Sequence, residues 1–163
     1  MLPNDSKHLI VKLNLLITLL LVTVVTLVAC QATPVPPLAV EQGVEFALAP
    51  GEMATITDAG LTIKFISVLN DGRCPSDIEC TESGPVQISL SIQKDNGTAE
   101  DLVMQTFTDN DGRSPAVEFE GIEDRIVYEG YLIRIVGVLP YPVKLSTSIR
   151  QNDYRVSFVV TEK

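Results

Sequence analysis

An all-β fold is predicted by three features of this 163-residue chain. Beyond residue 44 the apolar residues alternate with polar ones at period two rather than 3.6, the pattern of a strand with one buried face. The alternating runs are short, and Gly, Pro, Asn and Asp separate them at close intervals, as turn residues do. No segment there carries the spacing of a long helix.

Val44, Phe46 and Leu48 make the first run, and Pro50 with Gly51 turns the chain into a strand over 53–56. Asp58, Ala59 and Gly60 turn it again before Leu61, Ile63 and Phe65. The clearest strand is Val86, Ile88, Leu90 and Ile92, with Gln87, Ser89, Ser91 and Gln93 on its other face. Asn96 and Gly97 are the residue types that supply the two positive φ angles of a type I′ hairpin, which returns the chain through Leu102, Met104 and Phe107. Further strands are expected over 116–119, 126–138 and 154–160. Seven or eight short antiparallel strands predict an Ig-like β-sandwich, because two packed sheets bury one face of each strand. A small closed barrel is the alternative. The Cys, Trp, Cys spacing of true immunoglobulin domains is missing, since the chain has no Trp.

Ahead of this domain, Lys7 and Lys12 precede an uncharged run of 15 residues from Leu15 to Ala29. At about 1.5 Å per residue this is too short to cross about 30 Å of hydrocarbon, and it sits where a secretory signal has its apolar region. Extending it back to Leu9, as an uncleaved anchor would require, places Lys12 and Asn14 inside the membrane. The run closes on Leu27, Val28, Ala29 and Cys30. A small residue directly before a cysteine resembles the lipobox of bacterial lipoproteins. The resemblance implies that residues 1–29 are a lipoprotein signal peptide and that the Cys30 thiol takes a diacylglyceryl group and becomes the new N-terminus. Each buried CH₂ contributes about 0.8 kcal/mol, so two or three acyl chains anchor where one binds only marginally. The expected location is the extracytoplasmic face of the cell membrane or the outer membrane. Gln31 is not the aspartate that resembles an inner-membrane retention signal. Residues 30–43, with Pro34, Pro36 and Pro37, read as a flexible tether, and residues 44–163 as the sandwich domain.

Removing residues 1–29 takes away the one histidine, His8, with Lys7, Lys12 and Asp5. Ten basic and twenty acidic side chains remain among 134 residues, a net charge of about −10. Nucleic acid is excluded as a partner, because phosphate binding needs clustered Lys and Arg. Without histidine the domain cannot form a Ser-His-Asp or Cys-His site or a His-ligated zinc or copper site. Carboxylate chemistry stays open.

Cys74 and Cys80 are separated by five residues. In an oxidising compartment such a pair bridges, whereas a redox-active pair stands two residues apart at a helix start. A structural disulfide is expected.

Several of these segments carry a wider likeness. Phe46 and Leu48 before Gly51, residues 60–65, and Gly72, Arg73, Cys74 and Pro75 with Cys80 and Gly84 make up its first part. Tyr131, Ile133, Ile135 and Val138 with Pro140, Tyr141 and Pro142 complete it. Together they resemble an uncharacterised group of bacterial lipoproteins and secreted β-domains with an Arg-Cys-Pro segment and a second cysteine. The likeness implies a β fold and a disulfide, and it implies no activity.

Candidate chemistry lies in the carboxylates. Asp109, Asn110 and Asp111 stand beside Gly112, and Asp71, Asp77, Glu79 and Glu82 surround the cysteines. Oxygen donors on turns suit Ca²⁺, but an EF-hand needs an oxygen where Phe107 stands. Glu118 and Glu120 share one face of an expected strand, the arrangement from which a glycosidase pair could be built. Tyr131 alternates with Ile133 and reads as core, while Tyr141 between two prolines reads as an exposed binding candidate. Residues 70–75 are echoed by residues 110–115, as two similar loops.

The sequence thus predicts a membrane-anchored extracytoplasmic lipoprotein with a non-enzymatic binding or envelope-associated domain and no cofactor. Its partners are the membrane, through the lipid on Cys30, and an envelope protein or surface ligand. The alternatives are a carboxylate-dependent hydrolase and a calcium-binding surface module. A pocket grouping two buried acids would favour the enzyme, and an apolar patch beside the loops would favour binding.

Overall fold

A computed structural model of the protein describes residues 10–18, 36–144 and 148–163. Residues 10–18 are helical and exposed throughout, and the Thr18 hydroxyl donates back to the carbonyls of Asn14 and Leu15. No helix among the described residues is long and apolar enough to cross a membrane. Cys30, and with it the expected lipidation and cleavage point, lies outside the described residues.

The unit Pro36–Lys163 is all-β, with two sheets. In chain order its strands are β1 (Leu38–Val40), β2 (Phe46–Leu48), β3 (Met53–Ile56), β4 (Leu61–Asp71), β5 (Val86–Lys94), β6 (Glu100–Thr106), β7 (Arg125–Tyr128), β8 (Tyr131–Leu139) and β9 (Arg155–Glu162). The five-stranded sheet runs β1-β3-β4-β5-β6, and the four-stranded sheet runs β2-β9-β8-β7. Alternation explains what is inside. Val86, Ile88, Leu90 and Ile92 of β5 are fully buried, as are Val156 and Phe158 of β9, and one apolar cluster joins residues of both sheets. Phe46 and Phe158 meet within it, ring centres 5.8 Å apart.

Several expectations need correction. Among the described residues there are nine strands rather than seven or eight, and the β1–β3 pair is parallel, so the strands are not all antiparallel. The tether expected to reach Gly43 stops short of that point. Leu38 pairs with Ala54, Val40 is buried, and the Gly43 amide donates to Val160. A three-residue edge strand is too short to show alternation, so its place in the sheet cannot be read locally.

β4 runs six residues past Phe65, because bulges after Phe65 and Val68 reset the alternation on which the sequence reading relies. The expected strand 126–138 is two strands. Glu129 and Gly130 both have positive φ, 48° and 85°, and form the two-residue turn that joins Tyr128 to its partner Tyr131. Asn96 and Gly97 do not form the type I′ turn. There the positive φ belongs to Asp95, whose amide donates to Gly60, and β5 has left β6 by Ile92 to stay with β4. Residues 116–119 are not a strand. Val117 and Phe119 are exposed, and the segment is held from outside by Gln105, which donates to Gly121, and by Arg134, which donates to Pro115.

Val40 and Val44 distinguish a strand from a tether. Val40→Ala should cost about 2 kcal/mol in denaturant unfolding, as core truncations do, whereas Val44→Ala at an exposed position should stay within about 0.5 kcal/mol. Equal, small effects would show that β1 contributes nothing to stability.

Candidate functional site

One end of the domain gathers the end of β4, the end of β8, the approach to β9 and the cysteine loop. At its centre is Arg73, whose side chain is 0% exposed. A guanidinium carries five N–H donors and no acceptor, and here every donor is used. Nε and Nη2 bond the two oxygens of Asp71 at 2.8 and 2.7 Å. Nη1 donates to the Val138 carbonyl at 2.8 Å and to Thr108 Oγ1 at 3.4 Å, and Nη2 donates to the Pro140 carbonyl at 2.9 Å. The Tyr141 ring lies 5.2 Å from the guanidinium carbon, within cation–π range. Tyr154, buried just ahead of β9, donates its hydroxyl to Asp71 Oδ2 at 3.0 Å.

Cys74 and Cys80 are bonded, their Cα atoms 6.0 Å apart. The loop they close is docked on the segment after β8. Ser76 N donates to Pro142 O, Asp77 N to Val143 O, and Tyr141 Oη to Cys74 O at 2.8 Å. Tyr141 is therefore half-buried rather than freely exposed. Two open clefts border these residues. One of about 300 Å³ lies over Asp71, Arg73, Pro75 and Tyr154, and one of about 400 Å³ lies over Pro140, Tyr141, Val143 and Ile149.

Three of the carboxylates expected to do chemistry, Asp71, Asp109 and Glu118, are engaged within the fold, while Asp77, Glu79, Glu82, Asp111 and Glu120 stand exposed on loops. Asp109 Oδ1 accepts from the amides of Asp111 and Arg113 and staples its own loop. Asp71 is committed to Arg73 and Tyr154. Glu118 lies in a loop, not on a strand, and pairs with Arg125 at 2.8 Å, so it does not share a strand face with Glu120. Asp124, the buried acid among the described residues, bonds Arg125 and is no part of the Asp71 cleft. Among the described residues, no three His, Cys, Asp or Glu side chains are arranged to hold a metal ion. Tyr131 packs against the core as expected. In the sequence Arg73 stands out only as part of the resemblance. The available signal was the Asp71-x-Arg73 spacing directly before a constrained cysteine loop.

Comparison of the chain with models of protein families, with curated proteins and with solved structures finds no match. The chemistry of this end must stand on its own geometry.

Burial pushes the Asp71 carboxyl up, but the Arg73 hydrogen bonds and charge, with the Tyr154 hydroxyl, outweigh it and leave it below its ordinary 3.8. Its contribution to stability is therefore complete above pH 3.8 and is lost as pH falls through the folded value. Tyr154 is raised from 10.0, first by burial and then by the negative charge and hydrogen bond of Asp71. Its contribution is complete below pH 10.0 and is lost as pH rises beyond it. Melting temperature followed against pH should fall at both limits, and Tyr154→Phe should abolish the alkaline contribution of Tyr154 and, by removing one hydrogen bond to Asp71, reduce the acid fall in part. Arg73→Met leaves Asp71 half-buried without its cation and should cost about 3 to 5 kcal/mol. A cost under 1 kcal/mol in urea unfolding would refute the central role given to Arg73. Cys74→Ser should cost about 2 kcal/mol by the chain-entropy account of so short a loop, and native protein should show no thiol at either position until it is reduced.

Proposed function

We propose that this chain is a membrane-anchored extracytoplasmic lipoprotein whose all-β domain, an Ig-like sandwich, acts as a non-enzymatic binding module at the cell envelope. The observation that carries the reading is the segment Leu27, Val28, Ala29, Cys30 at the end of an uncharged run behind Lys7 and Lys12. Acylation of the Cys30 thiol holds the domain at the extracytoplasmic surface of the cell membrane or outer membrane. The Cys74–Cys80 disulfide is chemistry that suits an oxidising compartment.

The binding role is supported by what surrounds Arg73. Its donors are all spent within the fold, so it serves architecture rather than catalysis. Of the acids that a carboxylate-dependent hydrolase could use, Asp109 is stapled into its own loop, and Glu118 and Asp124 are paired with arginine. Exposed Ile78, Leu139 and Val143 instead offer apolar surface beside the loops.

Metabolic labelling with palmitate should mark the full chain and should be lost in Cys30→Ser, which should accumulate as unprocessed precursor. An unlabelled wild type would sink the lipoprotein reading. A calcium module is tested separately. A ligand at a hundredfold excess over Kd stabilises by about 2.7 kcal/mol and raises the melting temperature; with Asp109 engaged by its own loop amides, calcium should leave it unchanged. A calcium-dependent rise that EDTA reverses and Asp109→Ala with Asp111→Ala abolishes would replace the plain-loop reading.

A further inference from the structure

We infer that Asn96 is a site of covalent self-modification: its side-chain amide condenses with the Gly97 backbone nitrogen to a succinimide, which water opens to aspartate or isoaspartate. The inference goes beyond the binding-module reading and does not rest on it.

The reaction needs only the two residues and water. The Gly97 nitrogen gives its proton to a solvent base and bonds to Asn96 Cγ, the Cγ–Nδ2 bond breaks, and ammonia leaves with a proton taken from water. A water molecule then adds at either carbonyl of the ring. Attack at Cγ returns the normal main chain with an aspartate side chain, and attack at the backbone carbonyl carries the main chain through Cβ as isoaspartate. No oxidant or reductant takes part. Glycine in the second position leaves the attacking nitrogen unhindered and lets the backbone reach the conformations that ring closure demands. Of the asparagines in the chain, only Asn96 is followed by glycine.

The fold leaves this pair open to the reaction. Pairing of β5 with β6 ends at Ile92 and Glu100, and residues 95–100 are all exposed. The Gly97 amide donates to the Lys94 carbonyl at 2.9 Å, and Gln93 Nε2 donates to the Gly97 carbonyl at 2.7 Å. Both partners belong to the turn itself, so a local opening frees the nitrogen while the sheets stay paired.

The two Asp-Gly pairs could close the same ring with loss of water, but distant segments hold them. Gly72 N donates to Pro85 O, Gly72 O accepts from Gly84 N, and the Asp71 carboxylate is spent on Arg73. Gly112 N donates to Asp109 O, and Gly112 O accepts from Val138 N of β8. Asn96 also lies at the far end of β5 from Arg73, since Val86 pairs with Asp71 and Lys94 with Leu61. Its conversion therefore leaves the bonds of Arg73 in place. What changes is the hairpin tip, where a carboxylate replaces a neutral amide beside exposed Asp95 and the isoaspartate form lengthens the main chain of the turn.

The test ages the full chain in neutral detergent at several pH values, in ordinary and in oxygen-labelled water, with unaged protein as blank. Digestion at mildly acidic pH is followed by mass spectrometry with fragmentation that separates aspartate from isoaspartate. Conversion at Asn96 should outpace Asn70, Asn110 and Asn152, yield isoaspartate together with aspartate, take up labelled oxygen, and quicken as pH rises because the nucleophile must lose a proton. Gln93→Ala should quicken it several-fold by releasing the Gly97 carbonyl. Asn96→Gln, whose longer side chain cannot close the same ring, should stop it. Each variant is checked for an unchanged melting temperature. An unaltered Asn96 after another asparagine has converted would overturn the site. Aspartate without isoaspartate, or a rate indifferent to pH, would mean direct hydrolysis and overturn the ring. A Gln93→Ala rate equal to the wild type would overturn local opening of the turn as the step that admits the reaction.

Discussion

Burying a guanidinium obliges the chain to supply an oxygen for each of its N–H groups, and the organisation of one end of this domain follows from meeting that demand at Arg73. Asp71, on the last residue of β4, supplies two oxygens. Those still needed come from Thr108, Val138 and Pro140, so the end of β4, the segment after β6 and the end of β8 must converge. Asp71 belongs to the five-stranded sheet and Val138 to the four-stranded sheet, so the guanidinium ties the two sheets together. A lysine could not do this, since its compact ammonium has three donors and no planar fork.

The two similar loops show how one short sequence is used in two ways. Residues 70–73 and 110–113 are both Asn, Asp, Gly, Arg. Both approach the end of β8, one through Arg73 bonding Val138 and Pro140 and the other through Gly112 and Ser114 bonding Val138 and Val136. Gly112, with φ of 76°, and Gly137, whose added Cβ would meet the Gly112 carbonyl at 3.1 Å, allow that second approach. Arg73 is buried against its own Asp71, while Arg113 stays exposed and pairs with Glu45 at 2.6 Å. An exposed pair of that kind contributes little, whereas the buried one is costly to break. Burial, not sequence, separates the two arginines.

Much of the fold was legible because its signal is local. β5 and β9 bury every second residue, so period-two alternation located them and their inward faces. The disulfide was legible from spacing. The failures have one physical origin, which is that pairing partners are chosen across the sheet. β1 is invisible until its parallel partner β3 is known. The turn at Glu129 and Gly130 was hidden because Glu is an uncommon residue at positive φ, and the Asn96 and Gly97 pair misled because β5 follows β4 there instead of β6.

By itself the sequence determined the all-β class, the inward face of the long strands, the acidic surface and the removal of histidine chemistry from residues 30–163, since composition and alternation are properties of the chain alone. Only the tertiary structure decided which carboxylates are free and which are spent. Asp71 stands within one Asn-Asp-Gly-Arg segment and Asp109 beside the other, and their fates differ because one faces a buried cation and the other its own backbone amides. Desolvation and hydrogen-bond geometry decide that difference, and both arise when distant segments are brought together.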